Sequence, residues 1–243
     1  MGPDVTLSLW LVLVGPVAGS FVAAMAERLC AGASLTAPSR CSACGRRLGW
    51  RDMVPILSWL ALRGRCRNCG AALPRRLLAA ELAGLGAALA ALWIGDAGLE
   101  RLAIALWLWT LIGLALADLT CLRLPDPMTA VLFLTGMVIG TLTFGFVTAG
   151  LTALVGAAVL WVLARLYASA RGRQGLGFGD VKMMAGIGAA VGPLALPWVT
   201  LLAAGLAILV AGLRRSAPET PHPFGAALAL AAALVLVGIS LSD

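Results

Sequence analysis

Apolar residues run for about twenty positions at a time through this chain, broken by short polar stretches, and that rhythm leaves few folds open. A helix needs about 20 such residues to cross the hydrocarbon of a bilayer. Eight runs fall at 7–29, 77–95, 99–117, 127–147, 149–168, 182–192, 194–213 and 223–241. In lipid a backbone must satisfy its own hydrogen bonds, so runs of this kind are helices. The expected fold is an all-α polytopic membrane protein of about eight transmembrane helices. With 61% of 243 residues hydrophobic, 12% charged and a mean hydropathy of +0.98, an ordinary soluble domain is excluded. The first run has only Asp4 before it and is too long for the apolar stretch of a secretion signal, so it reads as a span. Met183 to Leu213 is too long for one span, and Gly192-Pro193 with Pro197 offers the break.

Charge orients these spans. Ten of the eighteen basic residues lie between Arg28 and Arg76, in the one long polar stretch. Basic loops stay in the cytoplasm. Fixing this one there puts Arg123, Arg171, Arg173, Arg214 and Arg215 on the same side, and leaves Arg101 as the one basic residue outside. Joining the sixth and seventh runs would move Arg214 and Arg215 outside, which favours the split. Membrane orientation thus accounts for the net charge of +7, and no aromatic-rich module accompanies the arginines to suggest nucleic acid. Three regions follow: a first transmembrane helix over 1–29, a cytoplasmic module over 30–76, and a membrane core over 77–243.

The module contains Cys41-Ser-Ala-Cys44-Gly45 and Cys66-Arg-Asn-Cys69-Gly70, two knuckles with 21 residues between them. Four thiolates at this spacing can surround one zinc ion, with glycine allowing the tight turn beneath it. Paired redox disulfides are the rival reading, which a cytoplasmic placement disfavours. A zinc closed by four sulfurs has no open position for water, so it staples the loop. Cys30 and Cys121 read as ordinary buried thiols.

Two aspartates stand at the ends of apolar runs, Asp118 and Asp180, with two crossings between them. An even number of crossings returns the chain to the side it left, so both carboxylates should meet one face of the bilayer at similar depth. Carboxylates near hydrocarbon are costly and mark function. Two that meet cannot both ionise, and such a pair can share a proton and split the work of activating water and polarising a carbonyl. The glycines of Gly175-Leu-Gly177-Phe-Gly179-Asp180 suit close backbone approach. Asp126, before Pro127, reads as a helix N-cap, and the lone His222 as part of a Pro-rich turn.

Together these motifs resemble the type IV prepilin peptidase family. Gly19-Ser20-Phe21 with Arg28-Leu29 is similar to its first motif, and the tetracysteine loop carries Trp50, Asp52, Pro55 and Ser58 between the knuckles. Arg75 and Glu81 loosely follow the next stretch. Asp118 with Leu124-Pro125-Asp126 matches the first catalytic motif, Gly177-Phe-Gly179-Asp180-Val-Lys182 the second, and Pro223-Phe224-Gly225 a late PFG. The resemblance implies a GxGD-type membrane aspartic endopeptidase of the bacterial cytoplasmic membrane, cutting the basic leader of type IV prepilins or type II secretion pseudopilins at the inner face. Asp118 and Asp180 would be catalytic, with Gly177, Gly179, Lys182, Asp126 and Glu81 in support. Many members also methylate the new N-terminus with S-adenosylmethionine. The family commonly has asparagine where this chain has Ala23, which weights the peptidase over the methyltransferase. The rival readings are a proton-coupled transporter and an inactive, zinc-stapled assembly factor. Against the transporter, both acids lie at a span boundary and no second half repeats the first.

Overall fold

The computed structural model describes residues 3–172, 176–213 and 222–241. Arg173, Gly175, Arg214 and Arg215 lie outside the described residues. Among those described, the fold is all-helical: α1 (Pro3–Cys30), α2 (Leu57–Ala61), α3 (Arg75–Ile94), α4 (Gly98–Cys121), α5 (Asp126–Phe144), α6 (Phe146–Arg171), α7 (Phe178–Leu213) and α8 (Phe224–Ser240). Two isolated β-bridges are the only extended pairings among them.

Six helices, α1 and α3 to α7, are long and apolar enough to cross a membrane, and α8 is a shorter apolar helix. The chain is a multi-pass membrane protein. The eight apolar runs occupy seven helices, because two of them share α7. Its 36 residues would span about 54 Å at 1.5 Å per residue, against a hydrocarbon core of about 30 Å. The helix is interrupted where the sequence suggests, at Gly192, with φ 75° and ψ 178°. Only glycine adopts that φ freely, and a Cβ there would lie 2.7 Å from the Phe144 ring. Pro193 then opens the second limb, where its missing N–H costs nothing.

Small residues bring the helices together. A Cβ on Gly19 of α1 would sit 2.1 Å from the Ala80 carbonyl oxygen of α3, and one on Gly136 of α5 would sit 2.2 Å from the Gly186 carbonyl oxygen of α7. Without hydrophobic drive between helices in lipid, such close backbone contact is what holds them. The central helix is α4, packed on α1, α3, α5 and α8. Its Trp107 and Trp109 indole N–H groups donate to Gly186 O (3.3 Å) and Gly84 O (2.9 Å), tying it to α7 and α3. Met183 and Met184 are buried in the core. Leu13, Val147, Leu194 and Ile208 are largely exposed, as lipid-facing side chains are.

One expectation is corrected. Cys30 and Cys121 are not separate thiols: their sulfurs are bonded, joining the ends of α1 and α4 across 91 positions with Cα atoms 5.9 Å apart. The two helices pack side by side and bring the cysteines within bonding reach.

Candidate active site and tetracysteine centre

The knuckles fold by the same local hydrogen bonds. Cys41 N–H donates to Arg46 O, and Gly45 N–H to Cys41 O. Cys66 N–H donates to Ala71 O, and Gly70 N–H to Cys66 O. Gly45 (φ 68°) and Gly70 (φ 70°) turn each loop back in the left-handed region. The four sulfurs of Cys41, Cys44, Cys66 and Cys69 lie within 4.8 Å of one another, with Cys41 and Cys69 at 3.9 Å. Tetrahedral zinc with bonds of about 2.3 Å places sulfurs about 3.8 Å apart, so the set fits that ion. Backbone N–H groups of Cys69 and Asn68 pull the Cys66 thiol down to about 6. The Arg46 N–H and the Asn68 amide lower Cys44. The Ala71 N–H pulls Cys69 the same way, but desolvation and the crowding sulfurs win and push it up to about 11. Four thiolates would need a cation to share this space, and a divalent metal would supply it.

The acids come from the opposite ends of two helices. Asp118 lies one turn before the end of α4, and Asp180 in the first turn of α7. Both are buried, at 6% and 8% exposure. Asp118 Oδ2 accepts the Ala226 N–H at 2.9 Å, from the first turn of α8. Asp180 Oδ2 accepts the Gly177 N–H at 3.1 Å. Leu124, from the four-residue link between α4 and α5, is wedged between the two segments of the site. A Cβ on Gly179 would lie 2.9 Å from Leu124 Cβ, and one on Gly225 would lie 3.1 Å from both Asp118 Oδ2 and the Leu124 methyls.

The motif residues therefore divide. Gly179 is required by close approach, whereas a Cβ on Gly177 would make only ordinary contact at 3.5 Å. Gly177 contributes its N–H. Asp126 is not the N-cap of α5: Pro125 holds that position, and Asp126 begins the helix. Its carboxylate instead meets Lys182 Nζ at 2.7 Å, joining the start of α5 to the start of α7. Glu81 is buried in α3 and engaged elsewhere, accepting Ser20 Oγ (3.1 Å) and the Ile56 N–H (2.7 Å). Sequence reasoning missed Leu124 and Ala226 as parts of the site. The LPD and PFG runs were the available signal, but neither says which atom touches what.

Two family models match most of the chain: the bacterial peptidase A24 N-terminal domain over residues 13–94, and the type IV leader peptidase family over residues 103–213. The chain is 35% identical over 208 residues to the prepilin leader peptidase/N-methyltransferase of Aeromonas hydrophila, covering 82% of this chain and 71% of that protein. The protein of the same name from Dickeya chrysanthemi is 37% identical over 208 residues, covering 82% and 73%. That from Burkholderia pseudomallei is 38% identical over 205 residues, covering 82% and 66%. No solved structure matches the chain.

Proposed function

The chain belongs to the type IV leader peptidase family, and from that membership we propose that it is a membrane aspartic endopeptidase in which Asp118 and Asp180 cut the basic leader of a type IV prepilin or a type II secretion pseudopilin. The observation that carries this reading is the convergence of two buried carboxylates from α4 and α7, each held by a backbone N–H.

The pair shares one proton and holds one negative charge. The ionised member takes a proton from a water molecule, whose oxygen bonds to the scissile carbonyl carbon. The protonated member gives its proton to the carbonyl oxygen. Collapse of the tetrahedral intermediate breaks the C–N bond: the leaving nitrogen takes the proton that water gave to the first carboxylate, a hydroxyl of the intermediate returns its proton to the second, and the dyad is back in its starting state. Lys182 and Asp126 position α7 against α5 and stay outside the chemistry. The bonds of the substrate sit at the depth of the helix ends, at the cytoplasmic face of a bacterial inner membrane, where the basic residues of the 28–76 stretch belong.

Zinc would be held by Cys41, Cys44, Cys66 and Cys69, with every coordination position filled by protein. It would supply a structural cross-link to the module and no hydrolytic water. For a methyl donor the fit is poorer. Ala23 offers no polar group, and the buried polar atoms nearby, on Ser20 and Glu81, are already engaged with each other and with Ile56. Leader cleavage is therefore the activity these residues support, and transport has no observation in its favour.

Co-expression of a prepilin with the parent chain, Asp118→Asn or Asp180→Asn, followed by mass spectrometry of the pilin N-terminus, tests the reading. Leader cleavage should stop in both variants while each still inserts in the membrane. Cleavage that persists in either would refute the dyad. The same spectrum reads N-methylation as a 14-Da increment, about one CH₂ in mass.

A further inference from the structure

The tetracysteine module does not simply hang in water beside the membrane. We propose that α2 and the turn before it dip into the bilayer leaflet on the module's side, with anionic phospholipid as their partner. This rests on geometry alone and holds whether or not the chain cuts prepilins.

Depth is the first argument. Arg76 pairs with Glu27 at 3.0 Å, and Arg28 reaches back to Leu35 O and Ser39 Oγ, so these charges mark the polar boundary at the ends of α1 and α3. Ile56, the residue that starts α2, does not sit at that boundary. Its N–H donates to Glu81, which in turn accepts Ser20 Oγ. Glu81 lies six residues into α3, about 9 Å along its axis, and Ser20 lies ten residues before the end of α1, about 15 Å. The first turn of α2 is thus drawn past the charged ring, toward hydrocarbon. The Ile56 backbone takes φ 62° and ψ −56° there, the centre of a γ-turn closed by Leu57 N–H to Pro55 O, a strained conformation that a β-branched residue rarely adopts. A buried carboxylate satisfied by a loop N–H is what holds it.

The second argument is what the segment shows to its surroundings. Trp50 is 72% exposed, Met53 52%, Leu57 66% and Leu60 57%, an apolar patch contributed by one short stretch. Beside it, Arg51 stacks over the Trp50 ring at 5.1 Å. From residue 31 to 74 the chain has seven arginines against one aspartate. Exposed apolar side chains in a segment rich in arginine are what an interfacial segment on an anionic surface presents. The same charge argues against the other occupants. A basic leader peptide or a second copy of this module would be repelled, whereas phosphate headgroups are attracted.

The test uses the full chain in nanodiscs of phosphatidylcholine with and without phosphatidylglycerol, together with a prepilin. The photoreactive residue p-benzoylphenylalanine replaces Leu57, Leu60 or, as a control in the first knuckle, Ser42. After irradiation, mass spectrometry should find phospholipid adducts at 57 and 60 at least fivefold above 42, enriched in phosphatidylglycerol over its share of the bilayer. Arg51→Gln with Arg63→Gln should remove that enrichment and leave the adducts. Adducts no more frequent than at 42, or cross-links to prepilin or to a second copy instead, would overturn the proposal. Zinc content identical to the parent shows that each variant has a folded module.

Discussion

Gly225 makes a direct demand on the site. Alanine there would set a Cβ 3.1 Å from Asp118 Oδ2 and 3.1 Å from two Leu124 methyl carbons. Comfortable contact needs about 3.5–4.0 Å, so these groups must retreat by about 0.4–0.9 Å. The bond at risk is Ala226 N–H to Asp118 Oδ2, now 2.9 Å. A retreat at the upper end carries it past the distance at which a hydrogen bond survives. A bond to a charged group contributes about 1.5–3 kcal/mol, so Gly225→Ala should lower kcat/KM about 10- to 100-fold. The assay is cleavage of purified prepilin by protein in nanodiscs, with thermal unfolding run alongside. Gly238 supplies the control. It lies in the same helix with nothing within 4 Å of its would-be Cβ, so Gly238→Ala should stay within twofold of the parent. A folded Gly225→Ala enzyme within threefold of the parent, or an equal loss in Gly238→Ala, would refute the steric account of the PFG motif.

Gly179→Ala should cost more than tenfold in cleavage, because the atom it meets is the Leu124 Cβ, fixed to the backbone at 2.9 Å; Leu124→Gly added to it removes that atom and should recover several-fold, and absence of any recovery would detach Leu124 from the effect. Lys182→Gln and Asp126→Asn should each destabilise by no more than about 1 kcal/mol, since the pair is half-exposed, yet each should slow cleavage. The double variant should be no slower than the worse single one, and additive losses in such a cycle would deny that the two act as a pair. Elemental analysis should find one zinc per chain. Chelation or Cys44→Ser should remove it and open residues 31–74 to protease while the membrane helices remain folded, and retention of zinc in Cys44→Ser would end the four-sulfur assignment.

What could be read in advance follows from which forces act locally. The spans were legible because transfer of an apolar run into lipid depends on that run alone, and the interruption of α7 because glycine followed by proline ends a helix wherever it occurs. The knuckles were legible because each closes within six residues, Cys41 to Arg46 and Cys66 to Ala71. Facing acids required only a parity count of crossings. The rest depends on partners far away in the chain. Asp126 looked like a cap since Pro127 follows it, but its carboxylate is held by Lys182, 56 positions on. Asp118 finds its donor 108 positions away, at Ala226. In sequence Gly225 and Gly238 are both glycines in an apolar helix, and only the packing of α8 on α4 separates them. The bond between Cys30 and Cys121 depends on the same kind of long-range contact, set by how α1 lies against α4.

The helix polarity around the acids would let the proposed dyad hold one negative charge so deep. Asp118 sits near the carboxyl end of α4, where the helix dipole opposes an anion. Left there alone it would be poorly placed to ionise. The start of α8 answers this by directing the Ala226 N–H at Asp118 Oδ2. Asp180 needs no outside help of this kind, since it occupies the first turn of α7 and closes a hydrogen bond with the Gly177 N–H at that helix's own amino end. Two helix amino ends therefore point at the pair, and together offer partial positive charge for about one net negative charge. Lys182 is already engaged by Asp126 at 2.7 Å. A cation placed directly on the acids would pin both as carboxylates and remove the shared proton that water activation requires. In the proposed dyad, backbone dipoles would avoid that outcome: they favour a charge without fixing which oxygen bears it, so the proton would stay free to pass from one carboxyl group to the other during the reaction.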